Sequence, residues 1–242
     1  MKIGGVVGLA LAGALLGVSA CAVRLGGPAP EQYQAVALRA SEDAAAVGGR
    51  LRAAGADIVL LAADRDSAWF ALVAQHAQLA LSGPGRTGTS GLALLTDLKI
   101  LGDTALVLPV EGGGELHMQD ALYEIDENRH LDLMLVRMDP AAGLRESVRA
   151  LLGYIATDVG GTASVLLALE TATPQRADSA ALLLRAAFEQ ANECRGEGPG
   201  EAAAAQTLRL FYGPTARIDC RSARLLEGGT PAPTVARVVV RG

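Results

Sequence analysis

His130 is an imidazole set among carboxylates, with Glu127 three residues before it and Asp132 two after. An imidazole beside carboxylates is the raw material of general acid–base chemistry. The same stretch also reads as a polar turn, Asp126-Glu127-Asn128-Arg129, entering an apolar run, and no nucleophile attaches to it. No serine lies in G-x-S-x-G, the strained turn that presents a nucleophile. Thr96-Asp97-Leu98-Lys99 has the spacing of S-x-x-K, with threonine in the serine's place and Ile100-Leu101 continuing as a strand. His117-Met118, and His130 with Met134 and Met138, bring imidazole and thioether together, a pairing that suits copper. Packing along an apolar strand accounts for these methionines equally well. Gly83-Pro84-Gly85-Arg86-Thr87-Gly88-Thr89-Ser90 has the glycine spacing of a phosphate cradle, but Thr89 stands where the phosphate-reaching lysine is needed. It reads as a surface loop whose Arg86 is a candidate contact for an anion. No catalytic residue, metal ligand or cofactor is assigned from these patterns.

Composition narrows the classes further. The 242 residues carry a net charge of −5, which argues against nucleic acid, whose binding needs a basic face. Half of the residues are hydrophobic, yet the aromatic residues are one Trp, four Tyr and three Phe. The core is therefore built from Leu, Val and Ala, with closely spaced elements. Lys2 and Lys99 are the lysines, and arginine supplies the rest of the positive charge.

The elements that must position any site follow from hydrophobic periodicity. Tyr33, Val36, Ala40, Ala44, Val47 and Leu51 recur at three- and four-residue steps, which predicts an amphipathic helix over 31–54, frayed at Gly48-Gly49. Residues 56–62 predict a strand, and Asp66 caps a helix expected to reach Leu81. The runs 91–101, 104–110, 115–125 and 131–138, separated by turn residues, predict a small antiparallel meander in which Pro109 marks an edge or a strand end. Asp139-Pro140 is expected to start a helix. Residues 163–169 fit a buried strand or a helix, and their Ala and Leu content favours helix. A helix over 179–193 and a hairpin of 207–212 with 216–220 follow, with a last strand over 234–241. The expected architecture is α+β: a β meander, several amphipathic helices, a helical C-terminal half and a terminal hairpin.

The N-terminus carries an address. Met1-Lys2 is a positive start, residues 3–18 are uncharged and mostly apolar, and Ser19-Ala20 are small, as a signal peptidase requires. Val18-Ser19-Ala20-Cys21 resembles the lipobox of bacterial lipoproteins, a resemblance confined to residues 1–21. The five glycines of this run and Cys21 at its end distinguish it from a spanning helix. The resemblance implies removal of residues 1–20, acylation of Cys21, a tether over 21–30 and a single periplasmic domain over 31–242. Each buried CH₂ contributes about 0.8 kcal/mol, so two or three acyl chains would hold the domain to a bilayer. With Ala22 after the cysteine, the resemblance implies the periplasmic side of the outer membrane, with inner-membrane anchorage as the other option. In that oxidising compartment Cys194 and Cys220 are expected to form a disulfide. Closing a loop of about 26 residues would contribute roughly 3 kcal/mol. Without a complete catalytic set, the expected function is a non-enzymatic envelope module that binds another envelope protein. A tethered hydrolase using Arg86 and the His130–Asp132 turn is the alternative, and a small-ligand or metal carrier comes third.

Overall fold

A computed structural model describes residues 31–82, 91–127, 129–159, 164–187, 192–194, 207–213, 216–225 and 234–240. The lipobox, the tether and the Arg86 loop lie outside the described residues. The expected meander with a helical C-terminal half is not what forms. The chain builds two six-stranded mixed sheets packed face to face, with helices on both outer faces.

The first sheet has the order β11 (Ala216–Leu225), β12 (Thr234–Val240), β1 (Glu31–Ala40), β2 (Ile58–Ala63), β4 (Leu92–Thr96), β3 (Leu81–Ser82). The second runs β5 (Lys99–Pro109), β6 (Glu115–Asp126), β7 (Arg129–Met138), β8 (Ser164–Glu170), β10 (Leu208–Tyr212), β9 (Asn192–Cys194). Each sheet holds one parallel pair, β1 with β2 and β7 with β8, and their other neighbours are antiparallel. A parallel pair needs a crossover. The helices α1 (Ala44–Ala53) and α3 (Leu144–Tyr154) supply the two crossovers, so the molecule contains one β-α-β unit per sheet.

Three apolar clusters correspond to the three interfaces between layers. Ala35, Ala37, Leu60, Tyr123, Leu133 and Leu166 lie between the sheets. Val36, Leu38, Val59 and Leu61 pack under α1 and α2 (Ser67–Ala77) through Val47, Phe70 and Val73. Met118, Met134 and Val136 pack under α3 and α4 (Pro174–Ala187) through Leu151 and Leu184. Adjacent side chains of a strand point to opposite faces. The inner strands β2, β4 and β8 are thus buried at every position and read as continuous apolar runs.

This double burial corrects the sequence-based expectations. Residues 31–40 are a strand, and the helical spacing seen there is a coincidence between two buried faces; a helix starts only after Asp43, whose carboxylate accepts from the Ala46 amide at 2.9 Å. Residues 164–170 are strand β8, because Ala and Leu fill the tight space between two layers as well as they fill a helix. The 91–101 run divides between sheets, β4 joining the first and β5 the second. Gly102 falls at a register irregularity inside β5 and makes no turn. The expected hairpin is absent: β10 pairs with β8 and β9, while β11 pairs with β12 in the other sheet. The edge position of β5, ended by Pro109, and the cap at Asp66 agree with expectation.

Gly48 fixes how α1 meets α2. A Cβ placed on it would stand 2.4 Å from the His76 Cβ and 2.8 Å from the Val73 carbonyl oxygen, whereas one on Gly49 would meet nothing within 4 Å. Gly48→Ala is therefore expected to destabilise by about 1–3 kcal/mol through overpacking. Gly49→Ala, on the exposed face of the same helix, is expected to stabilise by about 0.5–1 kcal/mol. Denaturant midpoints of the two variants check the pair, and equal effects would contradict this packing.

Candidate functional site

Alternation along the four parallel strands carries four charged residues to one mouth. On β1, Ala35 and Ala37 face the inter-sheet core, and Arg39 is the next residue of that face. Ile58, Leu60 and Ala62 on β2 lead to Asp64 in the same way. Leu131, Leu133 and Leu135 on β7 lead to Arg137, and Leu166 and Ala168 on β8 lead to Glu170. All four stand at carboxyl ends of strands, where open α/β sheets hold their ligands. They line a cavity of about 250 Å³ with Met138, Pro140, Thr171, Ala172 and Thr207.

Glu170 is the buried centre of the site, its side chain 4% exposed. Its Oε1 accepts from Arg39 Nη1, across the gap between the sheets, and its Oε2 accepts from Arg137 Nε at 2.5 Å. Asp64 sits further out, its side chain 70% exposed. Its Oδ2 accepts from Arg39 Nη2 at 2.6 Å, and its Oδ1 lies 3.3 Å from Arg137 Nη1. Burial lowers the pKa of Arg137, with Arg39 adding to the effect and Asp64 opposing it. A buried ion pair that loses one partner leaves an uncompensated charge, at a cost of about 3–5 kcal/mol. Glu170 is thus fixed by its arginines, whereas Asp64 meets the same two arginines at the exposed rim.

Gly91 makes room for this network. Its φ is +63°, and a Cβ there would lie 2.4 Å from the Ala63 carbonyl oxygen and 2.7 Å from Arg137 Nη1. Its carbonyl accepts from the Ala63 amide at 2.8 Å and from Arg137 Nη2 at 3.3 Å. Backbone of β2, the start of β4 and the guanidinium are therefore held together.

The residues singled out from sequence lie elsewhere. Asp132 belongs to the opposite face of β7, with Met134 and Val136, under α3. There burial, then a hydrogen bond with Asp120 and its charge, push the Asp132 carboxyl up to about 9. Tyr154 Oη donates to Asp120 at 2.6 Å. His130 is paired with Glu124 across the strands and exposed, and His117 is paired with Arg137 toward the other end, so the histidines and methionines do not converge. Among the described residues no group of three or more His, Cys, Asp or Glu is placed to hold a metal. Cys194 is on β9 of the second sheet and Cys220 on β11 of the first. No disulfide is seen among the described residues, so the expected Cys194–Cys220 bond has no support here.

Sequence reasoning missed Arg39, Arg137 and Glu170. A signal was available: each ends an apolar strand run, in Ala35-Val36-Ala37-Leu38-Arg39, Leu133-Met134-Leu135-Val136-Arg137 and Val165-Leu166-Leu167-Ala168-Leu169-Glu170.

No protein-family model and no curated protein matches the sequence. Solved structures match the fold. An endonuclease/exonuclease/phosphatase family protein from Bacteroides thetaiotaomicron aligns at a TM-score of 0.65 and 10% identity, over 88% of this chain and 99% of that one. The human Nocturnin catalytic domain with bound sulfate anion aligns at 0.61 and 11% identity, over 88% and 98%. The inositol polyphosphate 5-phosphatase domain of SpSynaptojanin, in complex with inositol (1,4)-bisphosphate and calcium ion, aligns at 0.53 and 10% identity, over 87% and 85%. The chain therefore has the fold of the endonuclease/exonuclease/phosphatase proteins. The matched fold gives no support to the expected non-enzymatic envelope lipoprotein.

The Asp132 pair has a measurable consequence. Folded Asp132 keeps its proton up to about pH 9, against 3.8 for the ordinary carboxyl. Between those values the folded state binds the extra proton, so its stability falls as pH rises through the interval. Asp132→Asn still offers an N–H donor toward Asp120 and carries no proton to lose. It is expected to flatten the fall in melting temperature from about pH 5 to about pH 9 and to exceed the wild type at the alkaline end. Parallel pH profiles for the two proteins would contradict the shared proton.

Proposed function

We propose that this chain is a phosphoester hydrolase, taking the phosphoryl group of its substrate at the cavity between Arg39 and Arg137. One observation carries the reading: two guanidinium groups, from different sheets, converge on one cavity at the carboxyl ends of the parallel strands. Guanidinium forks match the spacing of phosphate oxygens and bind them in pairs. The matched fold supports it, since two of the neighbours named above carry an oxyanion or a phosphorylated ligand.

Each residue has a role in this reading. Glu170 holds the guanidinium groups of Arg39 and Arg137 at a fixed separation. Those groups neutralise the phosphoryl oxygens as charge develops on them. Asp64 already bridges both arginines with its two carboxylate oxygens, so a docking phosphoryl group competes with it and releases it. Released, its exposed carboxylate accepts a proton from water as the water oxygen bonds to phosphorus. The ester P–O bond breaks and the departing alkoxide takes its proton from solvent.

The roles separate in a simple assay. With bis(p-nitrophenyl) phosphate and p-nitrophenyl phosphate as substrates and inorganic phosphate as inhibitor, Asp64→Asn is expected to abolish turnover while tightening phosphate, because a competing anion is gone. Arg137→Met is expected to weaken phosphate by about tenfold or more, the loss of one charge-assisted pair. Absence of both turnover and phosphate binding in the wild type would contradict the proposal.

A further inference from the structure

We infer that this cavity binds its phosphoryl group on guanidinium groups alone and takes no divalent cation. The inference deepens the phosphoester reading and rests on it for the ligand. One neighbour of the same fold is in complex with inositol (1,4)-bisphosphate and calcium ion, so cation binding is the property to test against these residues.

The residues do not fit a cation. Ca²⁺ takes six to eight oxygen ligands and Mg²⁺ demands an octahedron. Among the described residues, the carboxylates lining this cavity are Asp64 and Glu170. Both Glu170 oxygens are bound by guanidinium N–H groups, Oε1 by Arg39 and Oε2 by Arg137. Both Asp64 oxygens face the same two side chains, Oδ2 toward Arg39 and Oδ1 toward Arg137. Arg39 thus bridges the two carboxylates from the position a cation would need, and Arg137 closes the other side. Glu170 is buried against both arginines, so it cannot turn away to a new ligand without leaving their charges unmatched.

Charge leads to the same result. Two guanidinium groups against two carboxylates leave the cavity close to neutral, and a divalent cation added there would meet two like charges within the same small space. A dianionic phosphoryl group instead replaces the Asp64 carboxylate, an anion for an anion, while Glu170 stays in place. The arginines then do what a cation does elsewhere, which is to neutralise the phosphoryl oxygens.

The test uses the full chain, inorganic phosphate and Mn²⁺. Phosphate affinity is measured by calorimetry in excess EDTA and in excess MgCl₂, and Mn²⁺ binding by electron paramagnetic resonance without phosphate. The expected result is the same phosphate affinity in both buffers, within about twofold, and no bound Mn²⁺ that Glu170→Gln or Asp64→Asn releases. Phosphate binding that drops by about tenfold or more in EDTA overturns the inference, as does Mn²⁺ bound in the wild type and lost in either variant. Asp64→Asn, at an exposed side chain, keeps the comparison readable where Glu170→Gln fails to fold. Phosphate bound in neither buffer defeats the phosphoester reading, and the Mn²⁺ signal then decides the cation claim separately.

Discussion

The buried carboxylate of Glu170 is the constraint from which the rest of the site follows. It stands at the end of β8, facing the space between the two sheets, where an unmatched charge would be untenable. Arg137 matches it from the adjacent strand of its own sheet, and Arg39 matches it from the opposite sheet. The polar rim of the inter-sheet core is therefore also a clasp between the sheets. Because Glu170 commits both of its oxygens, neither arginine can leave without exposing the other two groups to a poor environment. Asp64 meets the same arginines from the exposed side of the clasp.

The fold produces this arrangement by repetition of one device. Each sheet contributes a parallel pair of strands joined by a crossover helix, and the carboxyl ends of both pairs open toward the same cavity. Period-two alternation then does the selecting: side chains that face the inter-sheet core along each strand continue to Arg39, Asp64, Arg137 and Glu170 at the mouth. Gly91 clears the last obstacle beside Arg137. A site made this way rests on four strands, which favours the fixed geometry that phosphoryl recognition requires. The outer faces of the same strands carry other work. Asp120, Asp132 and Tyr154 lie beneath α3, on the side of β6 and β7 turned away from the cavity.

Much of the local structure was legible from residue patterns, and the failures have a common cause. Turn residues and caps announced themselves: Asp66 caps α2, Pro109 ends an edge strand, and the strands over 58–63 and 234–240 lie where their β-branched runs put them, whereas the helix expected over 179–193 is α4, starting at Pro174 and ending at Ala187. The two strands that were misread, β1 and β8, are buried on both faces, so neither shows the alternation that separates strand from helix. Reading them as helices removed both parallel pairs, and with them the two-sheet sandwich. The site failed with the fold. Arg39 looked like a charge on a helix and Glu170 like the polar end of one, and only strand alternation brings them to the same mouth. His130 and Asp132 attracted attention because they are close in sequence; as i and i+2 residues of β7 they share the face turned away from the inter-sheet core, where Asp132 is buried with Met134 and Val136 under α3. The lipobox at Val18-Ser19-Ala20-Cys21 lies outside the described residues and rests on the sequence alone.

Anomalous diffraction from crystals soaked in tungstate, a heavy tetrahedral oxyanion, tests the central claim most directly. The account predicts one strong peak bridging the guanidinium groups of Arg39 and Arg137, with Glu170 unmoved and the Asp64 side chain turned to solvent. Tungstate absent from the cavity, or a hydrated cation coordinated by Glu170, would contradict it.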